Sequence, residues 1–270
     1  MQVNDPGRAA AGNAADLEIL KEAALEAGEL ALTYFGKDPE TWLKGGKSPV
    51  SEADIAVDKF LASELRGNRP DYGWLSEETT DNPDRLDRSR TFIVDPIDGT
   101  RAFLAGGDEW TVALAVVEEG RPVAGVVYAP VRKELYFAQS GHGAFLDKAA
   151  ISVSSVTMVS NATLSGPPSV VDNKGLGEHG IIARPYIRSL AYRMALVANG
   201  QVDIGVARAG PSDWDLAAAD LLVQEAGGQL TDLIGEPLLY NKARTRHPAL
   251  IATSRALQEP AREALGDLLR

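Results

Sequence analysis

Apolar residues recur at helical spacing over residues 14–35, where Leu17, Leu20, Ala24, Leu25, Ala27, Leu30, Ala31 and Tyr34 fall on one side of a helix that stops near Gly36, with Pro39 beyond. Residues 1–13, with Gly7, Gly12 and short alanine steps, read as a disordered terminus. Trp42-Leu43-Lys44 has the character of a short strand, and Ser51 opens a second helix through Ile55, Val57, Phe60, Leu61 and Leu65 to about Arg66. Ser51-x-x-Asp54 has capping-box spacing, with Asp in place of the usual Glu.

The pattern then turns to strands. Residues 72–75 form one that ends in Ser76-Glu77-Glu78-Thr79. Phe92-Ile93-Val94 forms a buried one that Pro96 stops, leaving Asp95 at its end. Residues 111–117, 123–128 and 134–138 are strand-like runs separated by polar and Gly/Pro turns, which predicts an antiparallel meander. Two short strands, 141–146 and 151–153, follow it. After about residue 150 the elements alternate: a strand at 158–164, a helix at 188–198, a strand at 202–207 and an apolar helix at 216–226 that Trp214-Asp215 opens and Gly227-Gly228 closes. Strands at 229–233, 238–240 and 249–252 and an amphipathic helix at 254–269 complete a smaller α/β half. The division is therefore an N-terminal α+β half, 14–149, and a C-terminal half, 150–270.

Composition narrows the chemistry. No run approaches the roughly 18 apolar residues of a membrane span, and the first residues lack the basic and apolar regions of a signal peptide, so a soluble, cytoplasmic protein is expected. The absence of cysteine excludes thiolate catalysis and cysteine zinc sites, and His142, His179 and His247 have no metal-ligand spacing. Any metal site must be built from oxygen. The formal charge of −11 opposes broad contact with nucleic acid or an anionic membrane, though a local basic cleft could hold a small phosphate.

Oxygen donors concentrate at Asp95-Pro96-Ile97-Asp98-Gly99-Thr100. Two carboxylates on one sharp turn repel unless a cation lies between them, and oxygen-only ligation favours magnesium, calcium or manganese. Gly99 permits the turn, and Thr100 opens a short apolar segment whose N-terminus suits an anion. Magnesium with a phosphate ester is the leading expectation. Plain structural roles also fit these residues one at a time: a turn cap for Asp95, a helix-dipole acid for Asp54, an exposed acidic turn for Glu77-Glu78 and a helix cap for Asp215.

Taken in order, Ser48-Pro49-Val50-Ser51-Glu52-Ala53-Asp54, Glu77-Glu78, the Asp95–Thr100 turn and Trp214-Asp215 resemble the inositol monophosphatase family of magnesium-dependent, lithium-sensitive phosphatases. The resemblance implies an α+β fold, a layered αβαβα sandwich with the site between the two halves. It makes Glu77, Asp95 and the Ile97 carbonyl ligands of one metal, and Asp95, Asp98 and Asp215 ligands of a second, with Glu77 touching a weaker third. Two to three Mg2+ ions are implied, with Mn2+ as a possible substitute. Asp54 and Thr100 would orient and deprotonate the attacking water, with Glu77 also in the catalytic set. Gly99, Thr100, Asp98 and Asp215 would face the substrate. Arg208 is expected at a second phosphate, and Arg188, Ser189 and Leu190 at another substrate wall.

Asp-x-x-Asp differs from the Asp-x-Asp of phosphatases with an aspartate nucleophile, and that class is rejected on spacing. Within the family, Glu109–Leu114, Gly125–Pro130 and Arg208-Ala209-Gly210-Pro211 look most like the bacterial 3′(2′),5′-bisphosphate nucleotidase branch, which makes a small phosphorylated nucleotide the expected substrate. Ser51 stands where the family usually has threonine, and Arg101-Ala102 match neither the nucleotidase nor the inositol pattern. Inositol 1-phosphate and histidinol phosphate are the alternative substrates, a regulatory binding protein is the non-enzymatic alternative, and a homodimer is a family expectation.

Overall fold

The computed structural model describes residues 6–45 and 48–269. The N-terminal half runs α1 (Pro6–Leu32), β1 (Thr41–Lys44), β2 (Ser48–Ser51), α2 (Glu52–Asn68), β3 (Gly73–Ser76), a 3-10 turn (Pro83–Asp87), β4 (Arg90–Asp98) and α3 (Thr100–Leu104). The meander follows as β5 (Thr111–Glu118), β6 (Arg121–Ala129), β7 (Glu134–Gln139), β8 (Ala144–Leu146) and β9 (Ala149–Ile151). The C-terminal half comprises β10 (Thr163–Ser165), α4 (Pro168–Val171), α5 (Gly175–Glu178), β11 (Ile182–Ala183), α6 (Leu190–Ala198), β12 (Ile204–Ala207), α7 (Asp213–Glu225), β13 (Gly228–Asp232), β14 (Leu250–Ser254) and α8 (Gln258–Leu269).

Strands β3 to β9 form one sheet in sequence order, antiparallel except for the parallel β3–β4 pair. The period-two alternation of β5 divides its residues between two cores. Val112, Leu114 and Val116 join Phe92 and Val94 under α1 and α2, whereas Ala113, Ala115 and Val117 join Ile93 under α6 and α7. On the far side of α6 and α7 lies a mixed sheet of order β11-β10-β12-β14-β13, and α8 covers its outer face through Ala261 and Leu265, with Leu257 just before it. Five layers result, helix, sheet, helix, sheet, helix, as the resemblance implies.

Small residues set how closely the middle helices approach the large sheet. Ala113, Ala115 and Ala138 pack with Ala217, Ala218 and Ala219 of α7. A Cβ on Gly125 would stand 3.1 Å from both the Cα and the carbonyl oxygen of Ala218. This is tighter than ordinary van der Waals contact, so even a methyl group would push the α7 backbone back by a few tenths of an ångström and a larger side chain by more.

Several boundaries differ from the sequence reading. The first helix begins at Pro6, so residues 6–13 leave the disordered terminus, and residues 1–5 lie outside the described residues. Strand β4 does not stop at Pro96. It continues to Asp98 across a register shift between Asp95↔Ala113 and Asp98↔Thr111, a bulge that tolerates a residue without an N–H. The strand expected at 158–164 is reduced to Thr163–Ser165, and Met158 is exposed. Residues 238–240 form no strand, and only an isolated bridge joins Pro237 to Thr231. The 3-10 turn Pro83–Asp87 buries Arg85 in a charged stretch that carries no pattern of apolar residues.

Candidate active site

Three kinds of local structure bring the acidic residues to the site: a bulge, a turn after a strand and a pair of capped helix starts. The bulge falls between Asp95 and Asp98, which stay paired with Ala113 and Thr111 of β5 in different registers, and Gly99 follows at φ +94°, in the left-handed region. A side chain at Gly99 would also press on Ser189 and the Glu109 carbonyl. Asp98 Oδ2 accepts bonds from Ser189 Oγ at 2.6 Å and from the Ala191 N–H at 2.7 Å, so the start of α6 fixes its orientation. Asp95 Oδ1 accepts from the Ile97 N–H at 3.1 Å. Its Oδ2 is buried and has no partner among the described residues.

Glu77 follows β3, whose parallel register with β4 sets Ser76 beside Val94, and the Glu77 N–H donates to the Val94 carbonyl at 3.2 Å. Two hydroxyls flanking Glu77 fix its turn: Ser76 and Thr79 both donate to the Asp58 carboxylate on α2. Lys44, on the β1–β2 hairpin, donates to the Glu77 carbonyl and lies 3.3 Å from Glu78 Oε2.

Asp54 and Asp215 share one device. Each is the third residue of its helix and closes a capping box with a serine, Ser51 or Ser212. Asp54 Oδ2 accepts from the Ser51 N–H and hydroxyl at 2.8 and 2.6 Å, which leaves Oδ1 for Thr100 Oγ1 at 3.2 Å. Thr100 Oγ1 lies equally far from the Ile97 carbonyl. Asp215 Oδ2 accepts from the Ser212 N–H at 2.6 Å. The Ser212-x-x-Asp215 spacing was present in the sequence and was missed.

These elements bring Asp95, Asp98 and Asp215 together, with one oxygen from each lying within 4.8 Å of the others. The charges are mutually unfavourable. Burial, followed by the Asp215 and Glu78 charges, pushes Glu77 up to about 8. Burial and Asp98 push Asp215 to about 7, and burial raises Asp98 to about 6 despite its Ser189 and Ala191 bonds. Asp95 is raised well above the carboxylate range by burial and then by Glu77, and Asp54 is raised by burial. Hard oxygen donors, a buried carboxylate oxygen without a partner and crowded negative charge all fit a divalent cation.

A cavity of about 470 Å3 opens on this cluster, lined by Ser48, Pro49, Glu77, Asp98, Gly99, Thr100, Arg101, Tyr186, Arg188 and Asp215. Of the expected wall residues, Arg188 lines it and is held by Glu109 at 3.3 Å. Ser189 and Leu190 do not. Ser189 is buried beneath Asp98, and Leu190 packs on the core under α6. Arg208 is also elsewhere, donating to Ser169 Oγ and to the Leu268 carbonyl, both at 2.9 Å, because α4 and α8 offer it acceptors away from the cavity. Arg101 and Tyr186 line the cavity and were not foreseen. Ser48 and Pro49 bring the hairpin to the cavity wall, and residues 46 and 47 before them lie outside the described residues.

The family model described as the inositol monophosphatase family matches residues 13–267. The chain is 34% identical to an inositol-1-monophosphatase of Mesorhizobium japonicum, over 81% of this chain and 86% of that protein. It is 39% identical to a histidinol-phosphatase of Mycobacterium tuberculosis, over 82% and 88%. It is 36% identical to the 3′(2′),5′-bisphosphate nucleotidase CysQ of Salmonella typhimurium, over 83% and 93%. Among solved structures, the extragenic suppressor protein suhB of Bartonella henselae superposes with a TM-score of 0.82 at 29% identity, covering 93% of this chain and 98% of that one.

Proposed function

Because the chain belongs to the inositol monophosphatase family, metal-dependent hydrolases of small phosphorylated substrates, we propose that it removes phosphate from a 3′(2′),5′-bisphosphate nucleotide with Mg2+ as its metal. The observation that carries the hydrolase reading is the convergence of Asp95, Asp98 and Asp215 beside a cavity lined by Gly99 and Thr100. Asp95, Asp98, Asp215, Glu77 and the Ile97 carbonyl would hold two to three ions. When bound, Mg2+ supplies Lewis acidity toward the phosphoryl and leaving oxygens.

The protein's own groups do the rest. Thr100 Oγ1 sits within reach of Asp54 Oδ1, and Asp54 is anchored through its other oxygen, so the pair can orient a water and take its proton toward Asp54. The raised pKa of Asp54 suits it to accept that proton. The Gly99 and Thr100 N–H groups receive the phosphate. Arg188, braced by Glu109, and Arg101 bring positive charge to the cavity rim, which favours a substrate with a second phosphate. Homodimerisation is carried over from the resemblance and a cytoplasmic location from the sequence pattern, and light scattering and cell fractionation check them.

Phosphate release with Mg2+ from adenosine 3′,5′-bisphosphate, inositol 1-phosphate, fructose 1,6-bisphosphate and histidinol phosphate, compared as kcat/KM, tests the substrate. The bisphosphonucleotide is expected to lead. A lead for inositol 1-phosphate or histidinol phosphate would replace the nucleotide, and release from none would leave a binding protein.

A further inference from the structure

Tyr186 stands in the wall of the cavity beside Arg188 and is 38% exposed. An aromatic ring left open to solvent among polar lining groups is a surface on which another ring can lie. The support beneath it is specific. Arg193, on α6, sets its guanidinium over the Tyr186 ring, with Cζ 5.2 Å from the centroid.

Arg193 is 4% exposed. It donates to the Val206 carbonyl at 2.8 Å and to the Ile187 carbonyl at 2.6 Å, and its Nε has no partner among the described residues. A leucine or methionine would fill this space without burying a charge. What arginine adds is a grip on the ring of Tyr186 and on the backbone of Ile187, the residue between Tyr186 and Arg188. One buried side chain thereby fixes the approach of both cavity-lining residues.

We propose that Tyr186, held from behind by Arg193, is a stacking platform for the alcohol half of the ester, selecting leaving groups that carry a planar ring, with Arg188 beside it for a second anionic group. This rests on the cavity being the phosphoester site. It assigns ring selectivity to Tyr186 and a positioning role to Arg193.

The test measures kcat/KM for adenosine 3′,5′-bisphosphate and glycerol 2-phosphate in the wild type, Tyr186→Ala and Tyr186→Phe. A base–aromatic stack of ordinary strength predicts that the nucleotide-to-glycerol ratio falls roughly tenfold in Tyr186→Ala, through the nucleotide's KM. Tyr186→Phe keeps the ring and should keep the ratio. An unchanged ratio in the alanine variant, or an equal fall in the phenylalanine variant, overturns the platform. In Arg193→Met the same KM shift is expected, whereas loss of kcat on both esters overturns the positioning role. Should the wild type prefer inositol 1-phosphate, the nucleotidase reading fails separately. The platform is then judged on 4-nitrophenyl phosphate against glycerol 2-phosphate in the same proteins, and a ratio indifferent to Tyr186→Ala refutes it.

Discussion

The Asp95–Asp98 turn and the N-terminus of α7 deliver carboxylates to one point by opposite means. In the first, the backbone and Asp95 are shaped close by, through a bulge against β5, a left-handed Gly99 and a bond from the Ile97 N–H to Asp95, and only the Asp98 carboxylate takes its bonds from afar, from Ser189 and Ala191. The second depends on distant chain. Asp213, two residues before Asp215, is buried and accepts from the Asn241 N–H at 2.7 Å while bonding His247 Nε2 at 2.7 Å. Asn241 in turn bonds Arg85 at 2.6 Å and Thr91 at 3.0 Å in the N-terminal half. A buried arginine on a 3-10 turn thus clasps the strap that holds the helix carrying Asp215. Ligands on the turn should fail by losing chemistry, and the helix should fail by losing position.

The largest effect is expected from Asp95→Asn, which keeps size and removes a buried carboxylate that no cationic side chain pairs with among the described residues. Activity should fall by at least about 10²–10³-fold, while the melting temperature of the metal-free protein holds or rises. Steady-state phosphate release and thermal unfolding in EDTA check both, and a variant that retains turnover would remove Asp95 from the site. Gly125→Val attacks the other region, since its side chain must displace the α7 backbone at Ala218. Overpacking of this kind costs about 1–3 kcal/mol, and here activity should fall together with stability.

A milder test of position is Asn241→Ala, which frees Arg85 and Thr91 from their shared partner. Loss of a buried hydrogen-bonded group costs about 1–3 kcal/mol. The Mg2+ concentration for half-maximal activity should rise several-fold, with kcat at saturating metal largely restored. An unchanged metal requirement would show that α7 needs no clasp.

The smallest effect is a pH dependence. Glu77, Asp215 and Asp98 hold their protons more tightly in the folded chain, near 8, 7 and 6, than at their ordinary values of 4.5, 3.8 and 3.8. The folded state therefore binds more protons than the unfolded state between about pH 4 and pH 8. The resulting stability is present below pH 4 and is lost as pH rises through 6 to 8. Metal-free protein should lose melting temperature across that window, and added Mg2+ should raise it more at pH 8 than at pH 5. Asp220, raised to about 6 by burial and away from the metal cluster, contributes part of the slope. Asp95→Asn should flatten the Mg2+-dependent part and leave the Asp220 part.

The same contrast explains what the sequence made legible. At Asp95–Thr100 a strand, a glycine and two acids announce the turn within six residues; Pro96 misled, because its bulge shows solely in pairing with β5, and the bonds from α6 that orient Asp98 left no trace nearby. Helix α2 was readable from its periodicity and its Ser51 cap, and α7 from its apolar run and closing glycines, although its Ser212 cap went unread. Arg208 was misplaced because its acceptors come from Ser169 and from Leu268, 39 and 60 residues away. Tyr186 carried no local signal, since its place in the cavity wall comes from groups far off in the chain, such as Glu77, Thr100 and Asp215, that line the cavity with it. The Arg85 clasp was invisible for the same reason, as its partners at Asn241 and Lys242 belong to the other half.

The most direct measurement is phosphate release from adenosine 3′,5′-bisphosphate by EDTA-stripped protein as Mg2+ is titrated back. Carboxylates that converge to hold catalytic metal predict no release in the stripped protein and a saturable recovery that Asp95→Asn and Asp215→Asn both abolish. Undiminished release without metal, or full recovery in either variant, would contradict the account.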